Sequence, residues 1–231
     1  MMIEPKIIYE DNHLIVVIKP QNISVQADES KDVDMLTIIK DYIKQRDKKP
    51  GNVFLGLVHR LDRPTGGVMV FAKTSKCASR LSKQLKEKQL KKKYLCVVCG
   101  RPKIMESQLI TYLKKDEKTN TVFIAPQLEE GAKQAILNYK VIETKNKFSL
   151  IDVDLVTGRS HQIRVQMAKQ LNTPIYADFK YGDKSHVGNL ALWAYQIKFT
   201  HPTTNQNMVF KVMPEGQIFK PFETQIQNLL N

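Results

Sequence analysis

Phe148-Ser149-Leu150-Ile151-Asp152-Val153-Asp154-Leu155-Val156 runs straight into Thr157-Gly158-Arg159-Ser160-His161-Gln162-Ile163-Arg164-Val165. In the first stretch Ile151, Val153 and Leu155 alternate with Asp152 and Asp154. Side chains two apart share one face of a strand, so the pattern buries one face and wets the other. That alternation belongs to an antiparallel sheet, because parallel strands are covered on both faces. Residues 135–142 read as its neighbouring strand, joined through Lys145-Asn146-Lys147. After Thr157 the period changes. Ile163, Met167 and Leu171 recur at helical spacing and predict a helix over about 161–171.

Working outward, residues 7–13 and 14–20 read as a hairpin with Asp11-Asn12 at its turn. Asp34 is a helix cap for a segment reaching Arg46, with Leu36, Ile39 and Ile43 on one face. Val68-Met69-Val70-Phe71-Ala72 is a strand, followed by a helix over about 75–90 striped by Cys77, Ala78, Leu81 and Leu85. Residues 100–131, broken by Pro102 and Pro126, read as loops and short strands. Residues 196–200 and 208–212 form a late hairpin. Strands outnumber helices and the hairpins are local, which gives an α+β fold with a mostly antiparallel sheet. No internal repeat or low-complexity linker divides the chain, so one domain over residues 1–231 is expected.

The chain has 231 residues, 36 Lys+Arg and 23 Asp+Glu, for a net charge of +13. A polyanionic partner is the natural inference. No apolar run approaches the roughly 20 residues of a membrane span, and the amino terminus lacks a signal-peptide pattern. A cytoplasmic protein without membrane contact is expected. The three cysteines, Cys77, Cys96 and Cys99, give no disulfide framework. Cys96 and Cys99 are three apart in a strand-like run. They point to opposite faces and cannot converge on zinc. No metal is expected.

The second chemical segment is His59-Arg60-Leu61-Asp62-Arg63-Pro64-Thr65-Gly66-Gly67. Asp62 lies between Arg60 and Arg63, and nearby positive charge favours the carboxylate anion. Glycines after a reactive side chain allow close approach, since they add no Cβ. Taken alone, the segment reads equally well as a surface ion pair ahead of a strand.

Together the two segments resemble the RluA-type pseudouridine synthases. That family reads H-R-L-D-x-x-T-S/G-G, then T-G-R-x-H-Q-I/L-R-V. Both motifs are present in order, and the resemblance covers about Ile7 to Phe210. It implies the pseudouridine synthase fold, a curved mixed sheet with flanking helices and a central catalytic cleft. It also implies isomerisation of uridine in ribosomal or transfer RNA, without a cofactor, by a monomer. The small amino-terminal RNA-binding domain of many relatives is expected to be absent.

By that resemblance Asp62 is the catalytic carboxylate, acting as nucleophile or as a base at the sugar. Arg164 is the arginine that pairs with it, bidentate geometry being the strength of a guanidinium. Tyr94, in the K-x-Y element Lys92-Lys93-Tyr94, stacks on the target base, and Ile163 packs beside it. Arg60 fills the space of the flipped nucleotide. Arg159 and His161 hold the motif loop and contact RNA backbone. On charge alone, Lys73, Lys92 and Lys93 read equally well as phosphate contacts or as a solvated face. By composition alone, His59 and His161 are structural. Some positions depart from the family pattern: Asn22 replaces the glycine of K-P-x-G, and Asn tolerates the left-handed conformation. Trp193 stands in place of a histidine, and Ala177-Asp178 in place of Gly-Asp.

Two rival classes are weaker. A noncatalytic RNA-binding module has no need of Asp62 between arginines. A glycoside hydrolase uses two carboxylates, and these motifs offer one.

Overall fold

The computed structural model describes residues 4–182 and 187–231. In chain order the elements are β1 (Lys6–Glu10), β2 (Leu14–Lys19), α1 (Met35–Arg46), β3 (Gly56–Leu57), β4 (Gly66–Ala72), α2 (Ser75–Lys86), β5 (Lys91–Cys99), β6 (Glu106–Asp116), β7 (Thr121–Ile124), β8 (Lys133–Lys145), β9 (Phe148–Leu155), α3 (Gln162–Val165), β10 (Leu192–Thr200), β11 (Asn207–Lys211) and α4 (Glu223–Leu230). The α+β class is as expected, and the β1–β2, β2–β4, β5–β9, β8–β9, β6–β8, β6–β7 and β10–β11 pairs are all antiparallel. Two compact units are present, Met1–Lys91 with Tyr195–Val212, and Lys92–Ala194 with Met213–Asn231.

In the first unit β1, β2 and β4 are consecutive neighbours, β3 pairs with β4, and β10 lies between β4 and β11. Every residue of β2 and β4 is buried. The Asp11 side chain closes the β1–β2 turn, accepting from the His13 and Leu14 N–H groups at 2.7 and 2.8 Å. Asp34 caps α1 by accepting from Thr37 N–H at 3.2 Å. The helix buries Met35, Ile38, Ile39 and Ile43, while Leu36 of the expected face stays half-buried. Helix α2, capped by Thr74, ends at Lys86, four residues short of the expected end. Its buried stripe narrows to Cys77 and Leu81. Lys88, at φ 57, is in a left-handed conformation that cannot continue the helix.

In the second unit the strand order is β5-β9-β8-β6-β7. Leu113, Val122, Ala135 and Val165 form one buried cluster against which Tyr181 packs. The loops and short strands expected over 100–131 include the short β7, but the largest element there is the 11-residue β6, longer than expected. Leu109 and Leu113 face inward in β6 with Thr111 between them, so a polar residue hides the period-two signal. The expected helix over 161–171 is one turn, α3, that widens into a π-helical turn at Gln166–Gln170. There Gln166 is fully buried and donates from Nε2 to Thr111 Oγ1 at 3.0 Å. A 3-10 helix at Gln217–Phe222 leads into α4, and neither was anticipated.

Candidate active site

Asp62 sits in a turn just ahead of β4, with its carbonyl accepting from Thr65 N–H at 2.9 Å. The turn is fastened to the end of β2. Lys19 Nζ donates to the carbonyls of Pro20 and Arg63 at 2.8 and 3.0 Å. Gln21 Nε2 donates to the Pro64 carbonyl at 3.1 Å, and Arg63 Nε to the Asn22 carbonyl at 3.2 Å. Asn22, at φ 65, takes the left-handed conformation its position demands. These bonds turn a flexible segment into a fixed platform for one carboxylate.

The charges around Asp62 are arranged differently from the sequence expectation. Arg63 is exposed, and its guanidinium pairs with Asp32 and approaches Asp28 at 3.7 Å. Lys19, absent from the expected site, is 0% exposed and lies in the field of Asp62. Burial pushes its ammonium down to about 7, attraction to Asp62 pulls it back up, and Arg63 pushes it further down. The Lys-Pro of the motif could have flagged it, but an apolar strand with a lysine at its end reads simply as a strand boundary. Arg60 is exposed beside the turn. His59 is buried and accepts from Val70 N–H at 3.3 Å, in keeping with its structural reading.

The other expected site residues belong to the second unit. Tyr94 is buried on β5 opposite Val153. Lys92, two residues earlier, shares its face of the strand. Ile163 and Arg164 occupy the single turn of α3, both buried. That turn is set by Gln162, whose Oε1 accepts from Thr157 Oγ1 at 2.8 Å and from Arg159 N–H at 3.1 Å. His161 enters it at φ 50. Arg159 is exposed and donates from Nε to the Gln134 carbonyl at 2.9 Å, which splints the motif loop to β8.

Arg164 is held from the side by Asp178, another residue outside the expected set. Nε donates to Oδ2 at 2.8 Å and Nη2 to Oδ1 at 2.6 Å, and both residues are buried. Asp178 Oδ1 also accepts from the backbone N–H groups of Lys180 and Tyr181 at 3.1 and 3.2 Å. The Tyr181 ring lies 5.1 Å from the Arg164 guanidinium carbon. Its hydroxyl shares a 2.6 Å hydrogen bond with His161 Nδ1 and accepts from Val122 N–H at 2.8 Å. His161 is thus part of the scaffold that orients α3. Ala177-Asp178 stood out in the sequence only as a departure from Gly-Asp; that the acid clamps Arg164 is a tertiary fact.

Cys96 is opposite Ile151 and Cys99 opposite Phe148, on opposite faces of β5. Among the described residues no group of three or more His, Cys, Asp or Glu side chains is placed to hold a metal ion, and no helix is long and apolar enough to cross a membrane.

Comparison with known proteins gives one consistent result. The profile of the RNA pseudouridylate synthase family matches residues 13–169. The chain is 34% identical over 234 residues to "Ribosomal large subunit pseudouridine synthase C" of Buchnera aphidicola subsp. Baizongia pistaciae, covering 97% of this chain and 70% of that protein. It is 31% identical over 229 residues to "Uncharacterized RNA pseudouridine synthase YhcT" of Bacillus subtilis, covering 98% of this chain and 71% of that protein. Among solved structures, "Human RNA Pseudouridylate Synthase Domain Containing 4" has the same fold, with a TM-score of 0.77 at 20% identity over 96% of this chain and 93% of that one.

Proposed function

This chain belongs to the RNA pseudouridylate synthase family, and from that premise we propose that it isomerises uridines in structured ribosomal or transfer RNA with Asp62 as the catalytic carboxylate. In this reaction the N1–C1′ bond breaks, the base turns, a C5–C1′ bond forms, and C5 loses the proton that N1 regains. Nothing is oxidised or reduced. The single observation that carries the assignment to Asp62 is its fixed turn, fastened by Lys19 and Gln21 and attracted by the Lys19 ammonium. A carboxylate serves as nucleophile or base only as the anion.

Tyr94 stacks on the target uracil and Ile163 packs beside it. Arg164 is the cation that pairs with the Asp62 carboxylate. Arg60 occupies the stack vacated by the flipped base. Arg159, His161 and Lys92 act on the backbone side. The names of relatives that carry a ribosomal large subunit target favour ribosomal RNA over transfer RNA.

The test uses RNA tritiated at uridine C5. Wild-type protein is expected to release tritium and leave pseudouridine in the chain, and Asp62→Asn to release none while still binding the RNA. Free uracil would reassign the protein as a hydrolase. Binding without tritium release from wild type, on total RNA from a strain lacking the gene, would make it a binding module.

A further inference from the structure

Helix α2 carries Lys76, Arg80, Lys83 and Lys86 and contains no acid. These four fall at i, i+4, i+7 and i+10, the spacing of one helix face. All four are exposed, and the face is turned away from the buried Cys77 and Leu81. The pattern works against the helix. Like charges at these spacings repel one another, and Lys76 stands in the first turn, where the helix dipole favours an acid. Among the described residues, the one ion pair on this face is Lys83 with Glu87, at 3.9 Å. Helix α1 is built the other way, its terminal Arg46 pairing with both Glu10 and Asp47. An unbalanced face that burdens its own helix is suited to a polyanion outside the chain.

The face is rigidly mounted. Gln84 Nε2 donates to the Thr200 carbonyl at 2.7 Å, and Gln84 Oε1 accepts from Thr200 N–H at 2.9 Å. Arg80 Nη1 donates to the Pro202 carbonyl at 2.5 Å. On the inner side a Cβ at Gly56 would stand 2.8 Å from Ala78 Cβ, so the glycine of β3 lets the helix sit close. Helix α2 packs on β4, the strand that begins just after the Asp62 turn, and all of these contacts lie within the first unit.

We propose that the outer face of α2 is a docking surface for the sugar-phosphate backbone of duplex RNA, the stem that flanks the target uridine. Lys76 to Lys86 spans about 15 Å along the helix axis, enough to follow two or three phosphates. The residues between the cations include Ser79 and Ser82, both exposed. Lysine, arginine and serine are side chains that bind phosphate and sugar and carry no sequence information. The helix has no aromatic residue, whereas single strands are held on aromatic stacking platforms. The chemistry of the face is thus that of a backbone contact on a stem. The surface rests on the reading of this chain as a protein that acts on structured RNA.

The probe is a fluorescein-labelled stem-loop RNA with unpaired uridines, titrated by anisotropy across salt beside the loop sequence as a single strand. One variant combines Lys76→Gln, Lys83→Gln and Lys86→Gln, and Arg80 is kept because it holds Pro202. Its affinity for the stem-loop is expected to fall on the order of 50-fold, and its slope of log affinity against log salt to flatten by about 2, at about 0.9 per phosphate. Affinity for the single strand should stay at the wild-type value. Melting should hold or rise, because repulsion along α2 is relieved. Turnover at saturating stem-loop should be unchanged while KM rises. The control combines Lys103→Gln, Lys118→Gln and Lys147→Gln, exposed cations of the second unit, and should keep the wild-type slope. A wild-type slope in the α2 variant, an equal fall in the control, or an equal loss on the single strand overturns the surface. If the combined variant melts low, Lys76→Gln and Lys86→Gln carry the test singly, each flattening the slope by about 0.9. Tritium release from the same stem-loop separates the two readings. Turnover with no α2-dependent slope removes the surface and leaves the enzyme, whereas an α2-dependent slope without turnover keeps the surface and removes the enzyme.

Discussion

Asp178 grips Arg164 edge-on, carboxylate against guanidinium, through two bonds of 2.8 and 2.6 Å. The arginine's direction is thereby set by an acid 14 residues downstream and not by its own helical turn, which is only four residues long. Asp178 is in turn steadied by two backbone N–H groups, so the clamp passes the rigidity of one loop into one side chain.

Asp178→Asn should keep the shape of the clamp and lose its charge, and Arg164→Lys should keep the charge and lose the fork. Both are expected to cut turnover on the order of 100-fold through misplacement of the guanidinium. Asp178→Ala removes the two-bond clamp from a buried cation and should cost about 3–5 kcal/mol of stability. Turnover and denaturant melts on the same preparations decide the matter. If Asp178→Asn melts lower but turns over normally, the clamp is structural only.

Lys19 should make stability depend on pH. Its folded-state value is about 7, against roughly 10.4 for a free lysine. Between these values the unfolded chain holds a proton that the folded chain lacks, so stability rises with pH across that window and is lowest below about 7. Lys92, held down to about 8, adds to the upper part of the rise. Lys19→Met should flatten the climb by up to about 1.4 kcal/mol per pH unit. Urea melts through the window measure the slope. Equal slopes in wild type and variant would mean that the folded protein keeps Lys19 charged throughout.

Cys96 and Cys99 should bind no metal. Burial pushes the Cys96 thiol far above its ordinary range, and Cys99 faces the other side of β5. Turnover is expected to survive chelation, with no stoichiometric zinc by elemental analysis. Stoichiometric zinc with activity lost to chelator would reverse this.

The sequence makes the Asp62 side of the chemistry easy to find and its supports hard to find. Asp62 and its turn lie within one motif, and Val68–Ala72 is apolar throughout, so motif and strand are local facts. The Asp11 and Asp34 caps are equally local, each bonding within three residues. Lys19 and Asp178 are not local. Lys19 reaches a carbonyl 44 residues away, and apart from the Lys-Pro pair of the motif Ile18-Lys19-Pro20 reads as a strand end. Strand β6 escapes notice because Thr111 interrupts its apolar period, and its length comes from pairing with β8. The widened turn at Gln166–Gln170 goes with a side-chain bond from Gln166 to Thr111, which no helical periodicity encodes.

Ala177, immediately before Asp178, has φ 56. A non-glycine residue in that conformation costs roughly 1–2 kcal/mol, and here the cost is borne beside the residue that aims Arg164. Ala177→Gly would relieve it without touching a single polar contact of the clamp. The position is therefore a reserve of mutational tolerance. A lineage that acquired glycine at 177 could absorb a core change such as an Ile→Val, which costs about 0.5–1.5 kcal/mol, and remain folded. A lineage that keeps alanine drifts with a narrower margin, and its core should accept fewer substitutions.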